Sequence, residues 1–210
     1  MQNDHDFSTH RLLLTMMKKS EPLSVGDMAK QLNITEMAVR RHLNNMERDG
    51  LVETTLVRQP MGRPSNKYSL TAHSENQFPN NYHNLTLDLL EELELGSGEG
   101  VINQLFDKRK DKLIGKYASR MPDHQSLQDK VATLTQIQND NGYMAVWEQD
   151  EQGNYVINEF NCPIAQVANK YNHACQSELA LFSELLSVEV ERVECLAKDG
   201  KKCKYVIQNK

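Results

Sequence analysis

The chain has 210 residues, of which 25% are charged and 39% hydrophobic, and its formal net charge is -5. This length allows one large or two modest domains, each with its own core. An acidic total argues against a protein that coats nucleic acid indiscriminately. The charge is uneven, however, because residues 1–70 carry ten Lys and Arg against eight Asp and Glu, and the other 140 carry fourteen against twenty-one. Only the first part is suited to contact with phosphates.

Neither a membrane span nor an export signal is indicated by the sequence. No run of eighteen apolar residues occurs, and the N-terminus lacks a basic segment followed by an apolar stretch and small residues. We therefore expect a cytoplasmic protein with no membrane partner.

Three helices are predicted in the first fifty residues. Residues 9–19 show the apolar spacing of a helix. Ser24 has the position of an N-cap for a short second helix that ends near Leu32, and Thr35 has that position for a third helix that runs to Met46. The short turn between the second and third helices is typical of a helix-turn-helix.

Two segments typical of β-strands follow the third helix. They cover residues 51–57 and 67–70, and the Pro and Gly residues between them indicate a hairpin tip. Three helices followed by a hairpin form the order of a winged helix-turn-helix, whose third helix enters the DNA major groove. Three small helices and a hairpin also occur in protein-contact modules, so the order alone leaves that alternative open.

Hydrogen-bonding and cationic side chains on the predicted outer face of the third helix favour DNA binding. An arginine there can bind a guanine edge or a phosphate, and an arginine between Gly and Pro at the hairpin tip can contact the minor groove. The predicted DNA-binding residues are Thr35, Arg40, Arg41 and Asn44 on the helix, and Arg63 and Lys67 on the hairpin. We predict a double-stranded operator bound by two copies of the chain.

The rest of the chain predicts a second domain of helices and β-hairpins. We expect the winged helix-turn-helix at 1–71, a polar linker at 72–84 and a sensor and dimerisation domain at 85–210, in an α+β fold overall. One predicted helix begins with Asp123 as its cap and carries an apolar stripe at three-to-four spacing: Leu127, Val131, Leu134 and Ile137. Such a stripe is typical both of a helix that pairs with its copy and of a core helix.

All four cysteines lie in the last quarter of the chain, at positions 162, 175, 195 and 203. Thiolates are ligands for zinc, copper(I) and iron–sulfur clusters, and disulfides are less expected without an export signal. No Cys-x2-Cys pair marks a zinc site. A metal site, a thiol redox switch, a small-molecule sensor in which the cysteines only pack, and His173 as an additional ligand all stay open.

The segment Leu23–Leu70 resembles the DeoR-like and ArsR-like winged-helix regulators, and its run GRPSNKYSLT is most similar to SufR-type repressors. In the second half, the stretches NCPI at 161–164, CQSEL at 175–179 and DGKKCKY at 199–205 follow the order of the same SufR-type regulators.

This resemblance implies a dimeric repressor whose operator affinity depends on an iron–sulfur cluster of the 4Fe-4S type. The implied metal ligands are Cys162, Cys175 and Cys203, with Cys195 as the fourth ligand or a bystander. Phe160 stands where a histidine often precedes the Asn-Cys-Pro motif, so that neighbour is not available as a ligand.

No catalytic motif is recognisable in the chain. It lacks a phosphate-binding glycine loop, a His-Glu-x-x-His zinc motif and a Gly-x-Ser-x-Gly elbow. We therefore predict a regulator and not an enzyme, with an enzyme fused to a DNA-binding domain as the alternative.

Overall fold

The computed structural model describes residues 3–20, 22–58, 63–122 and 124–209, with side chains from residue 9 onward. The chain divides into two compact units, Met1–Asn80 and Asn81–Lys210. None of the helices in these described segments combines the length and apolar character needed to cross a bilayer.

The first unit is a winged helix-turn-helix. Its elements are α1 (Asn3–Lys19), β1 (Leu23–Ser24), α2 (Val25–Leu32), α3 (Glu36–Arg48), β2 (Val52–Val57) and β3 (Ser65–Leu70). The strands form an antiparallel sheet in the order β1-β3-β2. The three predicted helices and the hairpin are confirmed, while the two-residue strand β1 was not predicted. Side chains from all three helices and the sheet share one core, which includes Leu13, Met28, Leu43 and Tyr68.

The stretch predicted as a linker, 72–84, contains regular structure. A 3-10 helix covers Ala72–Gln77, Ser74 within it is almost fully buried, and Phe78 packs against the core of the first unit. Lys18 of α1 also forms an ion pair with Glu75. Residues 72–80 therefore fold with the first unit.

The second unit places helices against a four-stranded antiparallel sheet. Its elements are α4 (Tyr82–Ser97), α5 (Glu99–Ala118), α6 (Leu127–Asp140), β4 (Ala145–Gln149), β5 (Tyr155–Glu159), α7 (Ala165–Lys170), α8 (His173–Leu186), β6 (Val190–Glu194), a 3-10 helix (Leu196–Lys198) and β7 (Cys203–Ile207). The strand order is β4-β5-β7-β6, so the two predicted hairpins, β4-β5 and β6-β7, join along β5 and β7. This mixture of helices and small antiparallel sheets confirms the predicted α+β class.

Helix α6 is a core helix of the second unit. Val131, Leu134 and Ile137 are fully buried and belong to the same cluster as strand residues such as Ile157 and Tyr205. The stripe is therefore covered within the chain and is not available to pair with a second copy, which decides between the two alternatives. The predicted cap was also wrong: Asp123 lies outside the described residues, and the helix begins at Leu127 with Ser126 as its N-cap.

Candidate nucleic-acid interface and cysteine site

Two local capping arrangements define the helix-turn-helix. The Ser24 hydroxyl accepts a hydrogen bond from the Asp27 backbone N–H at 3.2 Å, and the Asp27 carboxylate accepts one from the Ser24 N–H at 3.0 Å, which completes a capping box for α2. Helix α2 ends at Leu32, and its C-cap Asn33 has the left-handed conformation of a tight turn. These contacts fix both ends of α2, and only a short turn separates its last residue, Leu32, from the start of α3.

Helix α3 has one buried face and one exposed face, as a recognition helix requires. Val39, Leu43 and Met46 are fully buried beneath it. The Thr35 hydroxyl caps its N-terminus by accepting a hydrogen bond from the Ala38 N–H at 3.2 Å. The predicted contact residues of the helix, Thr35, Arg40, Arg41 and Asn44, are all exposed. Their contact with DNA stays a prediction.

An ion pair along α3 positions Arg40. Its guanidinium lies 3.3 Å from the carboxylate of Glu36, one turn earlier, and both side chains are at least half exposed. Exposed pairs of this kind contribute little stability. The guanidinium can therefore exchange this carboxylate for a phosphate or a base edge at small cost.

The two hairpin residues differ in their surroundings. Arg63 is exposed beside residues 59–62, which include Gly62 of the predicted tip and lie outside the described residues. Lys67 is half-buried, and its ammonium lies 3.1 Å from the Asp27 carboxylate. Hydrogen bonds from Ser24 and the contact with Lys67 lower the pKa of Asp27 to about 2. Lys67 thus connects β3 to the start of α2, a structural role that the sequence did not indicate.

Met37 is a further exposed residue of α3 that the sequence did not single out as a candidate contact. Met37 is in the first turn of α3 and its side chain is 78% exposed, an unusual position for a large apolar group. An apolar side chain at this place can contact the methyl group of thymine. The signal available in the sequence was the position of Met37 on the predicted outer face of the helix, together with Arg40 and Arg41. His42, by contrast, is buried on the inner side of the helix.

The four cysteines meet at one end of the second sheet. Cys162 follows β5, Cys175 lies in the first turn of α8, Cys195 follows β6, and Cys203 begins β7. Glu159 at the end of β5 pairs with Cys203, so β5 and β7 bring Cys162 and Cys203 to the same end of the sheet. All four thiols are free.

Cys195 is at the centre of this cysteine site. It interacts electrostatically with Cys162 and Cys203, and its thiol is within hydrogen-bond range of Cys175. Three of the thiols are buried and Cys162 is half-buried. The sequence left Cys195 as a possible bystander on a strand, but it lies just beyond β6, with its carbonyl accepting hydrogen bonds from Lys198 and Gly200 at 3.0 Å.

Polar groups surround the sulfur atoms. The Leu196 N–H donates to Cys203 Sγ at 3.4 Å, and the Arg192 guanidinium interacts with Cys175 and Cys195 while it donates to the Cys175 carbonyl at 2.8 Å. Burial raises the pKa of Cys162 to about 11 and the pKa values of Cys175 and Cys203 to about 12. Burial thus favours the protonated form of these three thiols.

Two glutamates near the cysteine site, the buried Glu159 and the half-buried Glu178, have raised pKa values. Burial raises the pKa of Glu159 to about 9, and one of its oxygens accepts a hydrogen bond from Gln138 Nε2 at 2.7 Å. Burial also raises the pKa of Glu178, whose carboxylate accepts a hydrogen bond from the Tyr205 hydroxyl at 3.0 Å. Neither residue was predicted to be special, because Glu on a strand or a helix is usually solvated.

His173 is not part of the cysteine site. Its Nε2 lies 2.8 Å from an Asp107 carboxylate oxygen and its Nδ1 lies 3.2 Å from the Gln176 side-chain oxygen. Both ring nitrogens are therefore engaged elsewhere, which removes the support for His173 as an additional ligand.

Comparison with known protein families gives a match within the first unit. The family model described as "Bacterial regulatory protein, arsR family" matches residues 8–54, which span most of α1, all of α2 and α3, and the first residues of β2. No curated protein matches the chain.

Similar solved structures include a mutant of ZitR of Lactococcus lactis, with 19% identity over 52% of this chain and 74% of that one, at a TM-score of 0.29. The adhesin competence repressor AdcR of Streptococcus pyogenes gives 20% identity over 57% and 85%, at 0.30. PadR of Bacillus subtilis, in complex with operator DNA, gives 11% identity over 64% and 92%, also at 0.30. With TM-scores this low, these three structures support no argument about fold or function.

The family match and the geometry of α2, α3 and the β-hairpin agree. The protein is therefore a DNA-binding transcriptional regulator of the winged-helix type, and residues 8–54 are similar to the arsR family of bacterial regulatory proteins.

Proposed function

We propose that the protein is a repressor that binds its operator as a homodimer and releases it when an iron–sulfur cluster of the 4Fe-4S type is lost from Cys162, Cys175, Cys195 and Cys203. The observation that carries this proposal is the convergence of all four cysteines of the chain on Cys195 at one end of the sheet. The DNA-binding part rests on α3 and the hairpin.

The donor set of the cysteine site fits such a cluster. A four-iron cluster takes one thiolate per iron, and its negative charge is stabilised by N–H donors and cations near the sulfurs. Leu196 supplies an N–H to Cys203, and Arg192 supplies a guanidinium beside Cys175 and Cys195. No three His, Cys, Asp or Glu side chains in the described segments surround the position of a single ion.

Burial of Cys175 and Cys203 is unfavourable for a simple thiol switch. The thiolate is the form of cysteine that reacts with oxidants, and burial raises the pKa of both thiols. Metal binding replaces those protons and so remains compatible with the same burial. When bound, a cluster supplies sensitivity to oxygen and iron supply, because its loss releases the four segments that its ligands hold together.

Helix α4 offers the best surface for a homodimer. None of its residues is buried, and Tyr82, Leu85 and Leu89 form a stripe, the α4 stripe, whose side chains are more than half exposed. Opposite it, Leu87 and Leu90 pack within the unit. We propose that a second copy of the chain packs against the α4 stripe, because such a stripe can pair with its own copy about a two-fold axis. The small positive charge of the first seventy residues also favours two DNA-binding units on one operator.

The cluster is tested on protein purified without oxygen. We expect about four iron and four sulfide per chain and visible absorption. On air exposure, the absorption and the affinity for a duplex selected by the wild-type protein from a random pool should decline together. Unchanged DNA affinity after complete cluster loss would reject the coupling, and protein that stays free of iron after anaerobic reconstitution would reject the cluster.

Cys195→Ser tests the centre of the site, and Ala174→Ser is its matched control, because it also adds a hydroxyl at a buried position but leaves all thiols in place. We expect iron loss only in the first variant. Full iron content in Cys195→Ser would mean that Cys195 is a bystander.

The DNA interface is tested with the joint alanine replacement of Arg40, Arg41 and Arg63, and Arg120→Ala in the second unit controls for lost charge. The triple variant should lose most of its affinity, and its salt dependence should flatten by about one unit of slope for each phosphate contact removed. Wild-type affinity in the triple variant would refute the interface.

The dimer is tested by sedimentation with Leu85→Glu and Leu89→Glu. Val146→Glu is the control, because Val146 is equally exposed on β4, away from helix α4. We expect monomers only for the α4 variants, and a wild-type monomer at operator-binding concentrations would overturn this assignment.

A further inference from the structure

The second unit contains a cavity of about 310 Å³, here called the α5 cavity, beside the cysteine site. Its mouth carries the exposed residues Arg109, Lys116 and Asn141, and its interior is lined by buried side chains that include Tyr117 and Tyr143. The volume is at the lower end of the range for small-molecule sites, which combine apolar walls with a few polar groups.

One face of α5 supplies the charge and part of the apolar wall. Arg109, Leu113 and Lys116 follow each other at helical spacing and all line the cavity. Lys110 also reaches the lining but is paired with Glu184 and Asp111. With Lys110 paired, the lining offers two cations, Arg109 and Lys116, against one acid, Glu178, so it favours an anion even with Glu178 ionised.

Apolar side chains from other elements, together with Tyr117 of α5, complete the lining. Pro163, Ile164 and Leu181 contribute aliphatic surface, and the rings of Tyr117 and Tyr143 contribute aromatic surface. Gln138, which also lines the cavity, is held by Glu159. A ligand with a planar apolar body can fill this space while its charged group stays near Arg109 and Lys116 at the mouth.

We propose that the α5 cavity binds a small organic anion with a planar apolar body, such as an aromatic carboxylate, as an effector of the regulator. Pro163 and Ile164 directly follow Cys162, and Glu178 lies one turn after Cys175 on α8. A bound ligand therefore contacts the segments that hold two cysteines of the site. Binding of the ligand stands on the cavity alone, whereas its effect on DNA rests on the proposed function.

The test uses the full-length, metal-free protein and 2-naphthoate as the probe, with neutral 2-naphthamide as its isostere, measured by calorimetry. We expect saturable binding of naphthoate with one site per chain and about tenfold weaker binding of the amide, because the amide lacks the charge-assisted contacts. Absence of saturable naphthoate binding, or equal affinity for the amide, overturns the proposal.

Charge variants locate the site. The double variant Arg109→Gln, Lys116→Gln should weaken naphthoate binding by about tenfold or more and leave naphthamide binding unchanged. Lys108→Gln with Lys112→Gln is the matched control, because these residues are exposed on the same helix but do not line the cavity. Equal losses in both double variants mean a general charge effect and also overturn the proposal.

The outcome is separable from the proposed function. Naphthoate binding by a protein that selects no duplex from the random pool supports the α5 cavity and rejects the regulator. Duplex binding with no naphthoate binding rejects only the cavity.

Discussion

Gly200→Ala is expected to destabilise the second unit, because the added methyl group would clash with the turn next to Cys195. A Cβ atom added at Gly200 would lie 2.6 Å from the Cys195 carbonyl oxygen, 2.9 Å from its carbon and 2.9 Å from Glu194 Cγ. Two of these contacts are with backbone, which can move only if the hydrogen bonds from Lys198 and Gly200 to that carbonyl are stretched.

The size of the effect follows from these contacts. Overpacking costs about 1–3 kcal/mol, and loss of one hydrogen bond adds about 1 kcal/mol, which gives about 2–4 kcal/mol in the free energy of unfolding. For a unit of this length the melting temperature should then fall by roughly 10 °C. The turn also carries Leu196, whose N–H donates a hydrogen bond to Cys203 Sγ. Distortion of the turn should therefore expose the thiols of Cys195 and Cys203, which should react faster with Ellman's reagent.

Intrinsic fluorescence measures this change selectively. Trp147, the single tryptophan of the chain, is on β4 with its ring 5.9 Å from that of Tyr155, so its emission reports unfolding of the second unit. Gly115→Ala is the matched control, because Gly115 is inside α5 with nothing within 4 Å of an added Cβ. It should stabilise slightly, by about 0.5–1 kcal/mol. A Gly200→Ala protein that melts with the wild type would refute the reasoning.

Three further predictions concern the first unit. Thr35→Ala removes the acceptor for the Ala38 N–H and should destabilise the unit by about 1 kcal/mol in urea unfolding followed by circular dichroism, with Thr35→Ser close to wild type. The pKa of Asp27 is held at about 2, mainly by hydrogen bonds from Ser24, so its contribution is present above about pH 4 and lost as the pH falls towards 2. Asp27→Asn should flatten that acid limb, and an unchanged pH profile would contradict this. Met37→Ala should weaken selection of thymine at one operator position, by about 1 kcal/mol in competition binding, and an identical selected sequence would argue against contact.

Local signals account for what the sequence predicted well. Ser24 and Thr35 are N-caps whose partners lie three residues away, so their function can be recognised in a short window. The cap of α6 is equally local, because Ser126 is followed by its partner Asp129 at the same three-residue spacing. It was nevertheless missed, because Asp123 was preferred as the cap. Competing candidates a few residues apart are difficult to separate by pattern alone.

Non-local contacts account for what could not be predicted. The same apolar stripe on α6 suits a core and a dimer, and only the packing of Ile157 and Tyr205 against it distinguishes the two. The burial of Glu159, the raised pKa of Glu178, the central place of Cys195 and the α5 cavity all depend on strands and helices distant in sequence.

The pairing of β5 with β7 also has a kinetic consequence. The two hairpins of the second sheet close over short turns, but 43 residues, 160–202, separate β5 from β7. Closing a loop of that length costs about 3 kcal/mol of chain entropy before the contacts form, so this pairing should be the late step of folding. We therefore expect the first unit to fold before the four cysteines of the second unit come together. A cofactor that needs all four cysteine ligands can then bind only after β5 and β7 have paired.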